Sequence, residues 1–275
     1  MHTEISFRCP VCHQPLLYQP RHFRCTQGHH FDQARSGYVN LLLAQHKHSR
    51  QPGDAEPMVL ARQRFQAQGY YRPLAQALAA LTALPGTALL DLGCGEGYYL
   101  SELLTHWRAQ GLAPAVAAVD IARRAVHELA RRRLGVAVAV ASARDLPFAD
   151  QSFETVLSIF APLYTAEVQR VLAPGGYVCL VGPGPAHLRG LMQALYAEVR
   201  PHRGNFEALE QDPAFVRVAQ QTLNTEIAVA QADIPDLLAM TPYYWRSSAE
   251  RQAALAALPV LATPLQFDIR LYQRR

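Results

Sequence analysis

Between Leu89 and Leu100 the chain reads LLDLGCGEGYYL, a stretch that leaves the backbone few choices. An apolar run ends in Asp91, and glycines follow at alternate positions, Gly93, Gly95 and Gly97. Strands buried on both faces read as continuous apolar runs. Glycines let the chain turn sharply and bring bare backbone against a ligand. The segment therefore predicts a central strand, a tight turn and a helix start. The third glycine comes one residue too early for the dinucleotide turn G-x-G-x-x-G, and no Gly-Lys-Ser/Thr ending follows as in a phosphate-binding P-loop. Both of those sites are excluded.

The D-x-G-x-G-x-G form resembles motif I of class I methyltransferases, which hold S-adenosylmethionine (SAM) across the carboxyl ends of a parallel sheet. The downstream pattern fits a parallel sheet. Val116–Asp120 is a second apolar strand ending in an acid, placed to accept both hydroxyls of a ribose; Asp120 can equally cap the helix predicted over 121–134. A third strand, 136–140, leads to a tip at Ser142 and Ala143 that can present backbone groups to an adenine. Further strands over 154–160 and 177–181, with a helix over 167–172 between them, complete repeated strand–helix–strand units. Residues 206–238 are expected to be mostly helical, Met240–Trp245 to form an aromatic loop, and Phe267–Leu271 to be an edge strand. The loop Phe160-Ala161-Pro162 lacks the Asp/Asn-Pro-Pro-aromatic signature of enzymes that methylate exocyclic amines, which argues against such an acceptor.

Ahead of the sheet, Cys9-x2-Cys12 and Cys25-x3-His29 form two ligand pairs separated by a hairpin's length. This suits tetrahedral zinc, and four protein ligands leave no open coordination position, so the ion would be structural. His30 could also reach the metal, but a knuckle-type spacing favours His29. Phe7, Leu16, Leu17, Tyr18, Phe23 and Phe31 supply only a thin apolar shell, so metal must contribute the missing stability. Five cysteines, three of them within the first 25 residues, fit metal binding better than a disulfide framework.

Between the modules lies a basic connector, with Lys47 and Arg50 before Pro52-Gly53-Asp54, and Arg62 and Arg64 in a helix expected over 57–68. A second helix is expected over 73–84. The formal net charge is +4, and Lys47 is the sole lysine. Arginine matches phosphate geometry, so Lys47, Arg50, Arg62 and Arg64 are candidate contacts for a backbone of phosphates, with a solvated connector as the alternative. No apolar run approaches the roughly 20 residues of a membrane span, and Arg8, Cys9 and Pro10 stand where a secretory signal needs an apolar core, so a cytoplasmic location is expected.

The zinc spacing followed in order by GYVNLL, HKHSR, PGD, ARQRF, DLGCGEGYY, LPF, FAP, PGPAHL and MTPYYW resembles the RlmA-type ribosomal RNA guanine-N1 methyltransferases, a family with relatives linked to macrolide resistance. The resemblance covers essentially the whole chain. It implies an α/β fold, the Rossmann-like doubly wound sheet of class I SAM-dependent methyltransferases, with a small zinc-ribbon-like domain. The expected division is a zinc-binding RNA-recognition domain over 1–43, a basic linker with helices over 44–84 and a SAM domain over 85–275. It implies zinc on Cys9, Cys12, Cys25 and His29, and SAM contacts at Tyr71, Gly95, Glu96 and His187. Asp91, Gly93, Gly97 and Asp120 belong to the general class I pattern. The implied partner is a hairpin of 23S ribosomal RNA, with no membrane and with a homodimer left open. The sheet motifs alone also fit a small-molecule methyltransferase or a non-catalytic RNA-binding fold. Guanine N1 carries a proton at neutral pH and needs a base, or a cation near O6, before it can attack. The sequence does not identify that group. Asp54, Glu56 and Arg50 are candidates through their linker position, and Tyr243, Tyr244 and Trp245 could stack on an extruded base or pack in the core.

Overall fold

The computed structural model describes residues 5–46, 49, 51–81 and 87–275. A three-stranded antiparallel sheet comes first, with β1 (Leu17–Gln19), β2 (His22–Arg24) and β3 (His30–Asp32). Its rungs pair Tyr18 with Phe23 and Phe23 with Phe31. So small a sheet cannot bury a core of its own, and it borrows one. Phe7 packs between Phe23 and Phe148, with ring centroids at 5.4 and 5.6 Å. The Arg8 N–H donates to the Pro147 carbonyl at 2.7 Å, and the Arg8 guanidinium reaches Asp145 at 3.4 Å. Next, β4 (Val39–Asn40) leaves the small sheet and pairs in parallel with a strand of the large one.

Two helices follow, α1 (Glu56–Ala67), with proline in its first turn, and α2 (Arg72–Ala79). The distal end of the expected second helix, from residue 82, lies outside the described residues, as do Lys47 and Arg50. The chain then alternates through β5 (Ala88–Leu92), α3 (Tyr98–Ala109), β6 (Ala115–Asp120), α4 (Arg123–Arg131), β7 (Ala137–Val140), β8 (Phe153–Ile159), α5 (Thr165–Val171) and β9 (Leu172–Pro183). It continues with α6 (Arg189–Leu195), α7 (Glu207–Glu210), β10 (Phe215–Ala230), α8 (Ile234–Ala239), α9 (Ala249–Ala256) and β11 (Val260–Arg274). The large sheet has the order β10-β11-β9-β8-β5-β6-β7-β4. Its β9–β11 and β11–β10 pairs are antiparallel, and the pairs from β9 through β8, β5, β6 and β7 to β4 are parallel. Every residue of β5 is buried, as its unbroken apolar run requires of a strand covered on both faces.

Two expectations are corrected. Residues 206–238 are not mostly helical: α7 is a single turn and β10 is a sixteen-residue strand. Leu223 and Ile227 stand four apart, as on a helix, but they belong to an alternation. Leu223, Thr225, Ile227 and Val229 face inward while Asn224, Glu226 and Ala228 are exposed, a period of two that β-branched residues favour. Nor is Phe267–Leu271 an edge strand. It lies within β11, which is flanked by β9 and β10 along the sheet, and the edge belongs to β10. The fifth predicted strand also starts earlier than expected, since β9 pairs at Leu172 and resumes at Tyr177 after a bulge across Pro174-Gly175-Gly176.

Candidate active site and metal centre

Strand order reverses about β5: β6 and β7 step to one side, β8 and β9 to the other. A crevice must open between the diverging carboxyl-end loops, where open α/β sheets bind ligands. A cavity of about 980 Å³ lies there. The three glycines of the first turn all have positive φ, +75°, +55° and +79°, yet they do different things. A Cβ on Gly93 would come within 2.2 Å of the Ala161 Cβ, so this glycine lets the turn tuck beneath the β8 tip. A Cβ on Gly97 would meet Leu129 Cδ1 at 2.2 Å, so this one seats α3 against α4. At Gly95 the nearest atom is Arg62 Nη1 at 3.8 Å, and its backbone stands open to the cavity.

Of the residues expected around a cofactor, Asp91, Gly93, Gly95 and Glu96 line the cavity at the motif I turn, and Tyr71 lines it beside His187. Asp120, Ser142 and Ala143 line it at the tips of β6 and β7, whereas Gly97 is not among the lining residues. Asp120 is not the N-cap of α4, a position that falls to Ala122, but its carboxylate ties the motif I turn to the loop ahead of that helix. One carboxylate oxygen accepts the Gly95 N–H at 3.0 Å and the other accepts the Ala122 N–H at 2.8 Å ahead of α4. Each oxygen keeps a further lone pair for a ligand. Asp91, Glu96 and Asp120 converge on this side. Burial, reinforced by the charges of Asp120 and Glu96, pushes the Asp91 carboxyl up to about 7. Burial raises Glu96 as well, opposed by Arg62 and Arg132. Arg62 projects from α1 into this group and is ion-paired with Asp54. Four carboxylates, those of Asp54, Asp91, Glu96 and Asp120, outnumber the guanidiniums of Arg62 and Arg132 and leave an excess of negative charge, suited to a cationic ligand.

The opposite half of the cavity is aromatic. Tyr71 and His187 are buried, with the Tyr71 hydroxyl 3.4 Å from His187 Nε2. His187 Nδ1 accepts the Gln266 N–H at 3.3 Å, so the remaining proton sits on Nε2. Burial, helped by His202 nearby, holds His187 down to about 3, and its ring is neutral. Phe160, at the β8 tip with a φ of +55°, stacks on His187 at 5.8 Å. A left-handed conformation at a non-glycine tip is the kind of strain that marks functional loops. Tyr243 and His202 close this end, with the Tyr243 hydroxyl 3.0 Å from His202 Nε2. Sequence reasoning overlooked Phe160 and His202. His202 sits in the turn-forming Pro201-His202-Arg203-Gly204-Asn205, a loop whose polar residues were the one available signal.

The linker candidates separate. Asp54 faces the cavity with Arg62. Glu56 instead pairs with Arg124 of α4 at 2.5 Å, and Arg64 grips Asp236 of α8 with two bonds at 2.8 and 2.5 Å. Both tie α1 to its neighbours. In the aromatic loop, Tyr243 is half-buried, but Tyr244 is 37% and Trp245 68% exposed, so those two rings are not core.

In the small sheet, the Sγ atoms of Cys9, Cys12 and Cys25 and a ring nitrogen of His29 lie within 4.8 Å of one another. Cys12 and Cys25 sulfurs are 3.6 Å apart, and His29 Nδ1 stands 3.4 Å from Cys25 Sγ and 3.7 Å from Cys9 Sγ. Zinc–sulfur bonds of roughly 2.3 Å at tetrahedral angles would put neighbouring donors about 3.8 Å apart, so the donor set fits zinc. Turns at His13 and Gly28, both at positive φ, fold each ligand pair back on itself. His30 is exposed beside Asp32, which leaves His29 as the fourth ligand. The protein holds zinc here and binds SAM in the larger domain.

Residues 7–50 match the family described as "RlmA, N-terminal", and residues 89–176 match "Methyltransferase domain". The chain is 34% identical over 261 residues to the 23S rRNA (guanine(748)-N(1))-methyltransferase of Streptomyces fradiae, covering 92% of this chain and 90% of that one. It is also 34% identical to a Micromonospora griseorubida protein provisionally named a 23S rRNA (guanine-N(1)-)-methyltransferase, over 96% of both chains. A Bacillus subtilis protein of the same provisional name, YxjB, is 31% identical over 96% of this chain and 95% of its own. With zinc ribbon and sheet matched together at this identity, the chain belongs to the RlmA-type 23S rRNA guanine-N1 methyltransferase family.

Proposed function

We propose that the protein methylates N1 of one guanine in a hairpin loop of 23S ribosomal RNA, using SAM. Kinship through zinc ribbon and sheet alike carries this reading, because a small-molecule methyltransferase would leave the ribbon without a role. SAM supplies a methyl group already activated on a sulfonium. The residues around the cavity then have to hold that cation, admit one base and exclude water. Asp120 would take the ribose hydroxyls, with Ser142 and Ala143 beside the adenine. Gly95 offers bare backbone, and Asp91 and Glu96 supply negative charge to the amino-acid end. Tyr71 and His187 would form the partition between cofactor and acceptor.

The acceptor must leave its stack to enter the crevice, which favours an unpaired loop over a stem. Trp245 and Tyr244, exposed beside Tyr243 at the aromatic end, would stack on neighbouring bases. Among the connector cations, Arg62 would act inside the cavity, while Arg64 and the flanking Lys47 and Arg50 are the candidates for phosphates. Among the described residues no helix is long and apolar enough to cross a membrane. A ribosomal substrate implies work in the cytoplasm, and self-association is a separate question for sedimentation. Mass mapping of 23S ribosomal RNA from cells with and without the gene tests the reading. Loss of one N1-methylated guanine is expected, and an unchanged methylation map would refute it.

A further inference from the structure

The mechanism above leaves the guanine N1 proton without an acceptor. Resting on that reading of the reaction, we propose that His202 is the catalytic residue that takes it, through Nδ1. The assignment starts from the hydrogen bonds that fix the ring. His202 Nε2 lies 3.1 Å from the main-chain carbonyl oxygen of His187. A carbonyl can only accept, so Nε2 carries the proton and donates it there. The Tyr243 hydroxyl, 3.0 Å from the same nitrogen, shares that N–H as a second acceptor. In a neutral imidazole the other nitrogen then holds the lone pair. No partner for His202 Nδ1 is found among the described residues.

Position supports the role. Asp120, Ser142 and Ala143 occupy the side of the crevice above β6 and β7, where the nucleoside half of the cofactor would rest. His202 lies across the switch point with Phe160, His187 and Tyr243, above β8 and β9, on the side left for the acceptor. It is half-buried, held from behind and able to meet an incoming base. Burial lowers its pKa, with the His187 carbonyl opposing, so the ring is neutral and ready to accept a proton at physiological pH. Asp54 and Glu56, the earlier candidates, are instead engaged by arginines.

The step balances. As the N1 lone pair forms the new bond to the methyl carbon, the carbon–sulfur bond breaks with its electron pair to sulfur, which becomes a neutral thioether. The N1 proton moves to His202 Nδ1, and the imidazolium returns it to solvent after product leaves. Among the described residues, the titratable or charged groups against His202 are His187 and Tyr243, with Arg203 adjoining it in the chain and lining the same cavity. His187 is held down to about 3 by burial, and Tyr243 is pushed up to about 12 by burial and by Tyr196. Neither changes charge between pH 5 and pH 9.

Two measurements test the assignment. Nitrogen-15 spectra of the histidine rings in the ligand-free protein should show His202 with Nε2 protonated and Nδ1 bare at pH 7.5. The opposite tautomer would overturn the proposal. His202→Gln keeps an N–H for the His187 carbonyl but has no basic nitrogen, and His202→Asn is the second variant should Gln disturb folding. In single-turnover transfer to a 23S hairpin, the folded variant should lose about 100-fold to 10,000-fold in rate, the usual worth of a positioned base. Its SAM dissociation constant should stay within about threefold, and its rate should rise with pH where the wild type has levelled off. A folded variant within threefold of wild type, with an unaltered pH profile, would overturn the proposal. If wild-type protein places no methyl on guanine N1, the functional reading itself fails, a result distinct from either outcome for the variants.

Discussion

Asp91 shows how one buried carboxyl can report on cofactor binding. Its pKa is lifted to about 7 by burial and by the charges of Asp120 and Glu96, well above its value in an unfolded chain. Between about pH 4 and pH 7 the unfolded chain has released this proton while the folded, ligand-free protein retains it. This group therefore lowers stability as pH rises through that window. An ammonium placed beside the carboxylate reverses the preference, so SAM binding should expel a proton near pH 7, and affinity should increase from pH 5.5 to pH 7. Calorimetry in buffers of different ionisation enthalpy would register the release, and Asp91→Asn should abolish it. An enthalpy independent of buffer would place the ammonium elsewhere. Asp120 makes a separate prediction. Removing its charge-assisted bonds, roughly 1.5 to 3 kcal/mol, should weaken SAM binding about tenfold to a hundredfold in Asp120→Ala. An unchanged dissociation constant would leave Asp120 holding only Gly95 and Ala122.

At the scale of elements, the motif I turn divides labour among its glycines in a way that can be measured. Gly97→Ala would drive a Cβ into Leu129 at a position with φ of +79°. Overpacking plus a left-handed alanine should cost about 2 to 4 kcal/mol and show as a clearly lower melting temperature. Gly95→Ala meets no wall atom closer than 3.8 Å, so beyond its backbone strain it should act mainly on SAM affinity. Equal melting temperatures in the two variants would contradict this division. The turn, β5, β6 and Asp120 were legible in the sequence because local patterns determine them: an unbroken apolar run, alternate glycines and an acid at a strand tip. What escaped was set by tertiary partners. Within β10, Leu223 and Ile227 fit a helical stripe as well as a strand, and only the long pairing with β11 decides between them. His202 escaped for a similar reason, since its orientation comes from the His187 carbonyl and Tyr243, which are distant in sequence.

At the scale of the whole molecule, the zinc ribbon is both a separate module and a buttress. Phe7 against Phe148, and Arg8 against Pro147 and Asp145, dock it on the loop that follows the Ser142–Ala143 tip. Cys12→Ala should release the metal, read by elemental analysis, and speed amide exchange in β1 to β3. The sheet keeps its own core, so SAM affinity should change less than about threefold. Stoichiometric zinc in the variant would show that the ligand set is wrong. In the proposed reading, RNA gripped by the ribbon would present its base to the cavity of the sheet, and the account depends on that acceptor. Purified protein should therefore be incubated with isotope-labelled SAM and 23S ribosomal RNA from cells lacking the gene, and the RNA digested to nucleosides for chromatography and mass spectrometry. Label recovered as 1-methylguanosine, about one per RNA molecule, is the predicted result. Label on another position of guanine, on another base, or on no nucleoside at all would contradict the account.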